Sequence, residues 1–333
     1  MSGLVEVEPS AWDDLLARLG CADVYYLREY LEGARLLEAG TPTFLHLRGG
    51  GGDVVFPFLL REAPGGMRDA ITPYGYGGPV ATGPEPPVER FWELYQGWCE
   101  ANRVATTVIR FHSLFANHRY AGGGMQLERY ADTTGWRLDQ PDLFAGMDGS
   151  HRTSCRKALK EGVSVRISPA PEQISGFVEL YEATMRRLAA GDFYVFPQDY
   201  WDSLTGPLRE RVVLADALED GAVVASALCL ATQPWLHYHL SAASERGRAV
   251  GAANLVLYET AEWARAQGFE RFHLGGGVGG KEDSLAAFKR RFDPGGRLEW
   301  WLGKAVHDAE AYRKLTGRAG DDLSGFFPAY RAS

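Results

Sequence analysis

The order of strand-like and helix-like segments in the second half of the chain constrains its fold most strongly. Residues 210–244 contain successive strand patterns, with turns at Asp220-Gly221 and Gln233-Pro234. A helix pattern that stops at a glycine, a strand, a short helix and a closing strand follow in that order. A meander of strands crossed by helices predicts an α/β (α+β) fold, with mixed sheets flanked by helices.

The first half of the chain repeats this plan more loosely. Two strand-like runs flank the glycine turn Gly49–Gly52 and predict a hairpin, and a helix pattern and a further strand follow it. Two such units in tandem account for the 333 residues, so we predict an N-terminal domain over 1–148 and a C-terminal domain over 149–333. A long heptad pattern is absent, so no coiled-coil arm is expected.

Composition narrows the class of protein. Hydrophobic residues make up 45% of the chain and charged residues 23%, as in soluble globular proteins. We expect no membrane insertion, because no apolar run approaches the roughly 20 residues that span a bilayer. The start of the chain lacks a signal-peptide pattern, and the four cysteines are scattered without metal-ligand spacing. These features predict a cytoplasmic protein with reduced thiols and no metal site.

The net charge of −8 argues against general affinity for nucleic acid. Any contact with RNA must therefore use a local basic cluster. The sequence offers two such clusters, His151–Lys160 and Lys289–Phe292. Solvated helix faces are the alternative interpretation of both.

Two stretches of the first half are candidate binding elements. The stiff loop Thr72–Pro79 carries Tyr74 and Tyr76, which can hydrogen-bond or stack on a ligand or simply fill a structural turn. Arg110 and His112 lie near the end of a predicted strand, a common ligand position in α/β folds. His112 is a candidate general base, with a structural histidine as the alternative.

A basic helix opens the second half. Arg156, Lys157 and Lys160 are expected on the first turns of a helix that ends at Gly162. Cations at the start of a helix oppose its dipole, which favours a bound anion such as a phosphate.

The helix and aromatic run that follow predict a cleft wall. Arg187 ends a helix pattern, and Tyr194 belongs to a dense aromatic run after it. Tyr238 lies in a strand-like stretch further on. An aromatic cluster between domains is the alternative interpretation.

An R-x-x-G-x-A pattern is formed by Arg248, Gly251 and Ala253, directly before a helix whose first turn includes Asn254. Backbone amides at such a helix start can bind a pyrophosphate. The pattern is short and recurs by chance.

The stretch Leu274–Phe292 has five glycines within the six positions Gly275–Gly280, followed by a short basic helix. It lacks the G-x-G-x-x-G and G-K-[ST] patterns of nucleotide loops. We interpret the glycines as a turn that allows close backbone approach and delivers Phe288 and Lys289.

In combination, these stretches resemble the Fem family of aminoacyl-tRNA-dependent peptidyltransferases, which consist of two GNAT-like (acyl-CoA N-acyltransferase) domains. The resemblance covers most of residues 150–300, and the first half resembles the family mainly through "PYGYGGP". The matching stretches of the second half, in family order, are "RKALKEGVSVRI", "FVELYEATMRR", "YVFPQDYWDSL", "YHLSAASERGRAVGAANLVLYETAEWARAQGF", "FHLGGG" and "SLAAFKRRF".

The resemblance implies roles for several of the candidates. Phe288 and Lys289 would lie near the aminoacyl end of the tRNA, with Lys289 neutralising charge on the reacting oxygen. The acceptor would be held by Arg187, Tyr194 and Tyr238. The family often carries an Asp-Pro pair in the first domain where this sequence has His112-Ser113, which leaves the contact with the acceptor amine open.

The implied function is transfer of an amino acid from aminoacyl-tRNA to the amine of a small peptide or peptidoglycan-precursor-like acceptor, by direct attack and without a cofactor. A place in peptide natural-product biosynthesis fits the same chemistry, and a monomer is expected. One alternative is an acyl-CoA-dependent N-acyltransferase, which the R-x-x-G-x-A pattern supports. A non-catalytic peptide-binding module is the other.

Overall fold

The structure is a computed structural model that describes residues 3–188, 191, 194–319 and 322–332. The strands within these residues are β1 (Val5–Glu6), β2 (Thr41–Arg48), β3 (Gly51–Ala63), β4 (Met67–Ile71), β5 (Val80–Glu85), β6 (Val104–Arg110), β7 (Gln126–Arg137), β8 (Ser164–Pro169), β9 (Val212–Glu219), β10 (Ala222–Thr232), β11 (Trp235–Ala243), β12 (Arg271–Gly275) and β13 (Arg297–Val306). The α-helices are α1 (Trp12–Arg18), α2 (Arg28–Glu38), α3 (Val88–Ala101), α4 (Leu143–Gly146), α5 (Gly149–Lys160), α6 (Ser175–Arg187), α7 (Gln198–Thr205), α8 (Glu245–Val250), α9 (Ala252–Ala266), α10 (Ser284–Arg290) and α11 (Ala309–Thr316).

The chain folds into two compact units. Unit 1 consists of the described residues up to Tyr130 and from Glu299 onwards, and unit 2 runs from Ala131 to Leu298. These bounds differ from the division at 148/149 for a topological reason. The last strand, β13, pairs with β6 and thereby returns the C-terminal residues to unit 1.

The sheet of unit 1 has the strand order β1-β2-β3-β4-β6-β13, with β5 paired to β3 as well. Neighbouring strands are antiparallel except β4 and β6, which are parallel. The β2–β3 pairing runs from Thr41 opposite Leu60 to Arg48 opposite Asp53, which confirms the hairpin predicted around the glycine turn.

The core of unit 1 is rich in aromatic side chains. Phe56 and Phe58 on β3 pack against Phe91 and Tyr95 on α3, with ring centroids 5.7–6.4 Å apart. Alternate strand residues and helix residues four apart each share a face, so both patterns place their rings on the same side. Burial of each such ring contributes roughly 1.5–3 kcal/mol to folding.

The sheet of unit 2 has the order β7-β12-β11-β10-β9-β8. Its strands are antiparallel except β11 and β12, which are parallel and joined through α8 and α9. A parallel pair requires such a crossover, and α9 fills it with a face of buried aliphatic residues that includes Leu255 and Val256. At 15 residues, α9 is the longest helix in the described part of the chain.

Each unit thus combines a mixed sheet with flanking helices, which confirms the predicted α/β (α+β) class. In the described residues, no helix combines the length and the apolar character that a membrane span needs.

Candidate active site

Lys289 lies in the short helix α10, whose start is fixed by Asp283. The Asp283 carboxylate accepts hydrogen bonds from the amides of Ala286 (2.8 Å) and Val278 (2.9 Å), so it caps the helix and ties it to the glycine-rich stretch. The Lys289 side chain is buried, and its Nζ donates to the carbonyl oxygen of Gly276 at 2.7 Å. The glycine-rich stretch therefore supplies a backbone acceptor for the lysine.

Tyr238 is the aromatic neighbour of this lysine. The Lys289 Nζ lies 5.4 Å from the centre of the Tyr238 ring, within the range of a cation–π interaction. The register of β11 with β10 shifts at the next residue, His239, and such bulges re-aim side chains beside active sites. Burial raises the pKa of Tyr238 to about 12, against the effect of its hydrogen bond to Ser241, so the phenol is neutral at pH 7.

The environment of Lys289 changes its acidity. Burial lowers the pKa of Lys289 to about 8, although the Asp283 carboxylate opposes this effect. The ammonium is still the major form at pH 7, and it has exchanged most of its water for one carbonyl oxygen and an aromatic face. A poorly solvated cation interacts strongly with any oxygen that gains negative charge nearby. This group can therefore stabilise an oxyanion.

Phe288 belongs to the packing beneath the lysine. Its ring lies 4.9 Å from the His151 ring and 5.2 Å from the Phe292 ring. The Phe288 carbonyl oxygen accepts a hydrogen bond from His151 Nε2 at 2.8 Å. Phe288 thus anchors α10 to the first turn of α5.

The R-x-x-G-x-A pattern forms the turn between α8 and α9. Gly251 has a φ of +81°, a conformation that favours glycine, and a Cβ there would come within 2.9 Å of the Ser154 carbonyl oxygen. The amide of Gly251 bonds to the Arg248 carbonyl at 3.3 Å, and the amide of Asn254 bonds to the Gly251 carbonyl at 3.1 Å. Arg248 is exposed, and the buried Asn254 lies in the first turn of α9.

The bounds of helix α5 contradict the predicted place of its basic residues on the first turns. The helix begins at Gly149 and ends at Lys160, so Lys157 and Lys160 lie in its last turn, not its first. Cations at this end complement the helix dipole, and the argument for a bound anion from electrostatic misfit was wrong. The predicted start came too late because the polar residues before Arg156 hid the first two turns.

The contacts of the two α5 candidates are local. Arg156 places its guanidinium 5.0 Å from the centre of the Phe144 ring. Lys157 Nζ donates to the Ala249 carbonyl oxygen at 2.7 Å, which ties α5 to the α8–α9 turn.

Two other candidates of unit 2 lie along α6 and beyond its end. Arg187 ends α6 and donates to the Ala243 carbonyl oxygen at 3.1 Å, at the end of β11. The Tyr194 carbonyl oxygen accepts a hydrogen bond from the Tyr181 hydroxyl at 3.2 Å. Both residues therefore brace α6, and Arg187 also contacts the strand that carries Tyr238.

In unit 1, Arg110 holds the tyrosine loop in place. Its guanidinium donates to the Thr72 carbonyl at 2.8 Å and pairs with Glu38 at 2.7 Å. The Tyr74 carbonyl oxygen accepts a hydrogen bond from the Tyr30 hydroxyl at 2.6 Å. The contacts of Arg110 and the Tyr74 backbone thus fix the shape of the loop.

His112 and Tyr76 lie together in the interior of unit 1, with ring centres 5.6 Å apart. His112 Nδ1 accepts from the Phe115 amide at 3.3 Å, which puts the proton of a neutral imidazole on Nε2. That nitrogen lies 3.3 Å from an Asp23 carboxylate oxygen. Burial raises the pKa of Tyr76 above its usual range.

The structure thus brings Lys289 together with Tyr238, and Tyr76 together with His112. Sequence reasoning assigned no site role to His151 or Asp283, and it included Gly276 only as part of the glycine turn. Asp283 stands directly before the helix pattern that begins at Ser284, which is a recognisable N-cap signal. Gly276 lies in the turn that we interpreted as allowing close backbone approach, but it acts through its carbonyl, which every residue possesses, so the sequence does not single it out.

Comparison with known proteins supports this architecture. The family described as "Acetyltransferase (GNAT) domain" matches residues 149–290, which include α5, β11 and α10. Acyl transfer is the reaction class that this match supports. No curated protein sequence matches the chain.

Solved structures extend the likeness to both units. FemX is 14% identical and has a TM-score of 0.70, with 95% of this chain and 100% of FemX covered. The C-terminal domain of a putative lysylphosphatidylglycerol synthetase from Agrobacterium fabrum is 16% identical, with a TM-score of 0.60 and coverage of 90% and 93%. A tandem GNAT protein from the clavulanic acid biosynthesis pathway is 13% identical, with a TM-score of 0.54 and coverage of 92% and 99%. The chain therefore has a Fem-like tandem GNAT fold.

Proposed function

We propose that the protein transfers an aminoacyl group from aminoacyl-tRNA to the amine of a small peptide or peptidoglycan-precursor-like acceptor. The observation that carries this proposal is the buried Lys289, whose Nζ is held by the Gly276 carbonyl beside Tyr238. No cofactor is needed, because the ester bond of the donor is already activated.

The reaction balances without a covalent enzyme intermediate. The neutral acceptor amine attacks the carbonyl carbon of the ester, and a C–N bond replaces the C–O bond to the ribose. The amine loses one proton, and the departing ribose oxygen gains one. The ammonium of Lys289 stabilises the oxygen that becomes negative during the attack. Positioning of the two substrates supplies much of the remaining rate enhancement.

The turn between α8 and α9 does not separate the two donor classes. The Gly251 amide bonds there to the Arg248 carbonyl, but the amides of Ala252 and Ala253 open helix α9, where a pyrophosphate could bind. The resemblance to the Fem family and the likeness in fold to FemX across both units favour aminoacyl-tRNA as the donor.

An acyl-CoA-dependent N-acyltransferase acting on a small amine is the second candidate. The R-x-x-G-x-A pattern and the match to the acetyltransferase domain family favour it. The likeness in fold to a tandem GNAT protein of the clavulanic acid biosynthesis pathway points the same way.

Donor use separates the two candidates. The protein is incubated with a mixture of charged tRNAs, or with acetyl-CoA, over a panel of amines and short peptides. We expect amide products from charged tRNA that disappear when the tRNA is digested with ribonuclease before the reaction, and none from acetyl-CoA.

Two results would count against the proposal. Transfer that needs acetyl-CoA and survives ribonuclease would establish the second candidate. The absence of product from either donor across the panel would favour a non-catalytic peptide-binding module. Uncharged tRNA serves as the control for products that do not come from the aminoacyl ester.

A further inference from the structure

The start of α5 makes two hydrogen bonds to the end of α10. His151 Nε2 donates to the Phe288 carbonyl oxygen at 2.8 Å, and the Asp148 amide donates to the Arg291 carbonyl oxygen at 2.8 Å. The His151 side chain is only 3% exposed, and its ring centre lies 4.4 Å from that of Phe292. The contact is therefore enclosed and combines hydrogen bonds with ring packing.

These two hydrogen bonds affect the position of α10 because a helix this short is not stable by itself. A helix of seven residues has little intrinsic stability. The Phe288 carbonyl accepts a 3.3 Å bond from the Arg291 amide in the last turn, and the hydrogen bond from His151 adds a second and shorter contact from outside the helix. The Phe288 carbonyl belongs to the peptide bond that ends at the nitrogen of Lys289. A donor that fixes this carbonyl therefore fixes the backbone from which the lysine side chain extends.

The chemistry of the contact defines the form of the histidine. A carbonyl oxygen only accepts, so His151 must carry its proton on Nε2. Burial lowers the pKa of His151, although the bond to the Phe288 carbonyl opposes this effect. The neutral ring with a proton on Nε2 is thus the form that makes the contact at pH 7.

We propose that His151 is a positioning residue, which sets the place of the Lys289 ammonium through its hydrogen bond to the Phe288 carbonyl. This inference rests on the proposed role of Lys289 in acyl transfer. His151 itself does not touch the reacting atoms.

Two substitutions distinguish the hydrogen bond from the packing. His151→Phe keeps a ring against Phe288 and Phe292 but removes the donor. His151→Gln keeps an N–H donor on a side chain of similar reach but removes the ring. Ser226→Ala is the matched control, because it removes one buried hydrogen bond of unit 2, from Ser226 to Asp216 on β9.

We expect His151→Phe to lower kcat by about 10- to 100-fold with little change in KM, since small displacements of a reacting group cost about that much. His151→Gln should stay within about threefold of the wild-type kcat, as should Ser226→Ala. Wild-type activity in His151→Phe, or equal losses in both His151 variants, would overturn the proposal.

A second measurement does not depend on the transfer reaction. The chain has six lysines, so the 13Cε resonance of Lys289 can be assigned by its loss in Lys289→Arg. In the wild type its pKa should lie near 8. In His151→Phe it should rise towards the ordinary value of about 10.4, because a displaced lysine regains water.

The kinetic measurement and the lysine titration distinguish failure of the proposed function from failure of the positioning role. If no donor supports transfer but the lysine titration shifts in His151→Phe, the proposed function fails and the positioning role stands. If the titration is unchanged in His151→Phe, the positioning role fails whatever the reaction is.

Discussion

Replacing Lys289 by methionine is expected to lower kcat by about 10²- to 10³-fold while the protein remains folded. That range is typical for the loss of a single group that stabilises an oxyanion. Methionine has a similar length and fits an apolar site, so the packing around α10 should survive. Steady-state kinetics with saturating acceptor measure the change. Lys281→Met, the same substitution at an exposed lysine eight residues earlier, is the control and should keep full activity.

The same substitution has a signature in stability. The folded chain binds a proton at Lys289 only below about pH 8, whereas the unfolded chain binds it below about pH 10.5. Between these values the unfolded state holds more protons, so the stability contributed at this site rises with pH. Compared with Lys289→Met, the wild-type free energy of unfolding should increase by about 3 kcal/mol between pH 8 and pH 11.

Urea unfolding of both proteins at several pH values tests this difference. Groups other than Lys289 titrate equally in the two proteins, so their effects cancel in the comparison. A difference that stays constant with pH would mean that the lysine is not desolvated in the folded state. Retained activity in Lys289→Met would show that the Lys289 ammonium does not stabilise the reacting oxygen, and it would contradict the proposed function.

The second half of the chain was readable from its sequence because its patterns are strong and local. The turns at Asp220-Gly221 and Gln233-Pro234 separate β9, β10 and β11 as predicted, and Gly268 follows α9 closely. The tandem GNAT architecture could be inferred from the order of these elements. Order along the chain, however, does not reveal that β13 pairs with β6, which is a long-range contact.

The candidate site could be predicted from the sequence only in part, because most of its contacts are also long-range. Lys289 and Tyr238 were chosen from the family resemblance, and the structure places them 5.4 Å apart. The partner of Lys289 is a backbone carbonyl, and the partner of Phe288 is a histidine 137 residues away. His151 lies within a basic cluster, and its pattern resembles a solvated helix face although the side chain is buried.

In unit 1, the substitution Asp69→Ala is expected to destabilise the protein strongly, by about 3–5 kcal/mol. The buried Asp69 carboxylate on β4 accepts from Arg61 at 2.6 Å, from Arg331 at 2.6 Å and from the Tyr330 hydroxyl at 3.2 Å. Its removal leaves the nearly buried Arg61 without its counter-charge and releases the C-terminal segment that Tyr330 and Arg331 attach to the sheet. Chemical denaturation measures the loss of stability, and limited proteolysis reports release of the segment.

Glu310→Ala is the matched control for this carboxylate, because it removes the same charge from an exposed ion pair with Lys314. Exposed pairs contribute little, so its unfolding free energy should stay within about 1 kcal/mol of the wild type. Arg331→Met distinguishes the contributions of the two arginines. It removes the Arg331 contact of the C-terminal segment but leaves Arg61 paired with Asp69. We expect it to show early proteolysis of that segment with a smaller loss of stability than Asp69→Ala. If Asp69→Ala and Glu310→Ala had the same free energy of unfolding, the Asp69 carboxylate would not be the group that holds the C-terminal segment against β4.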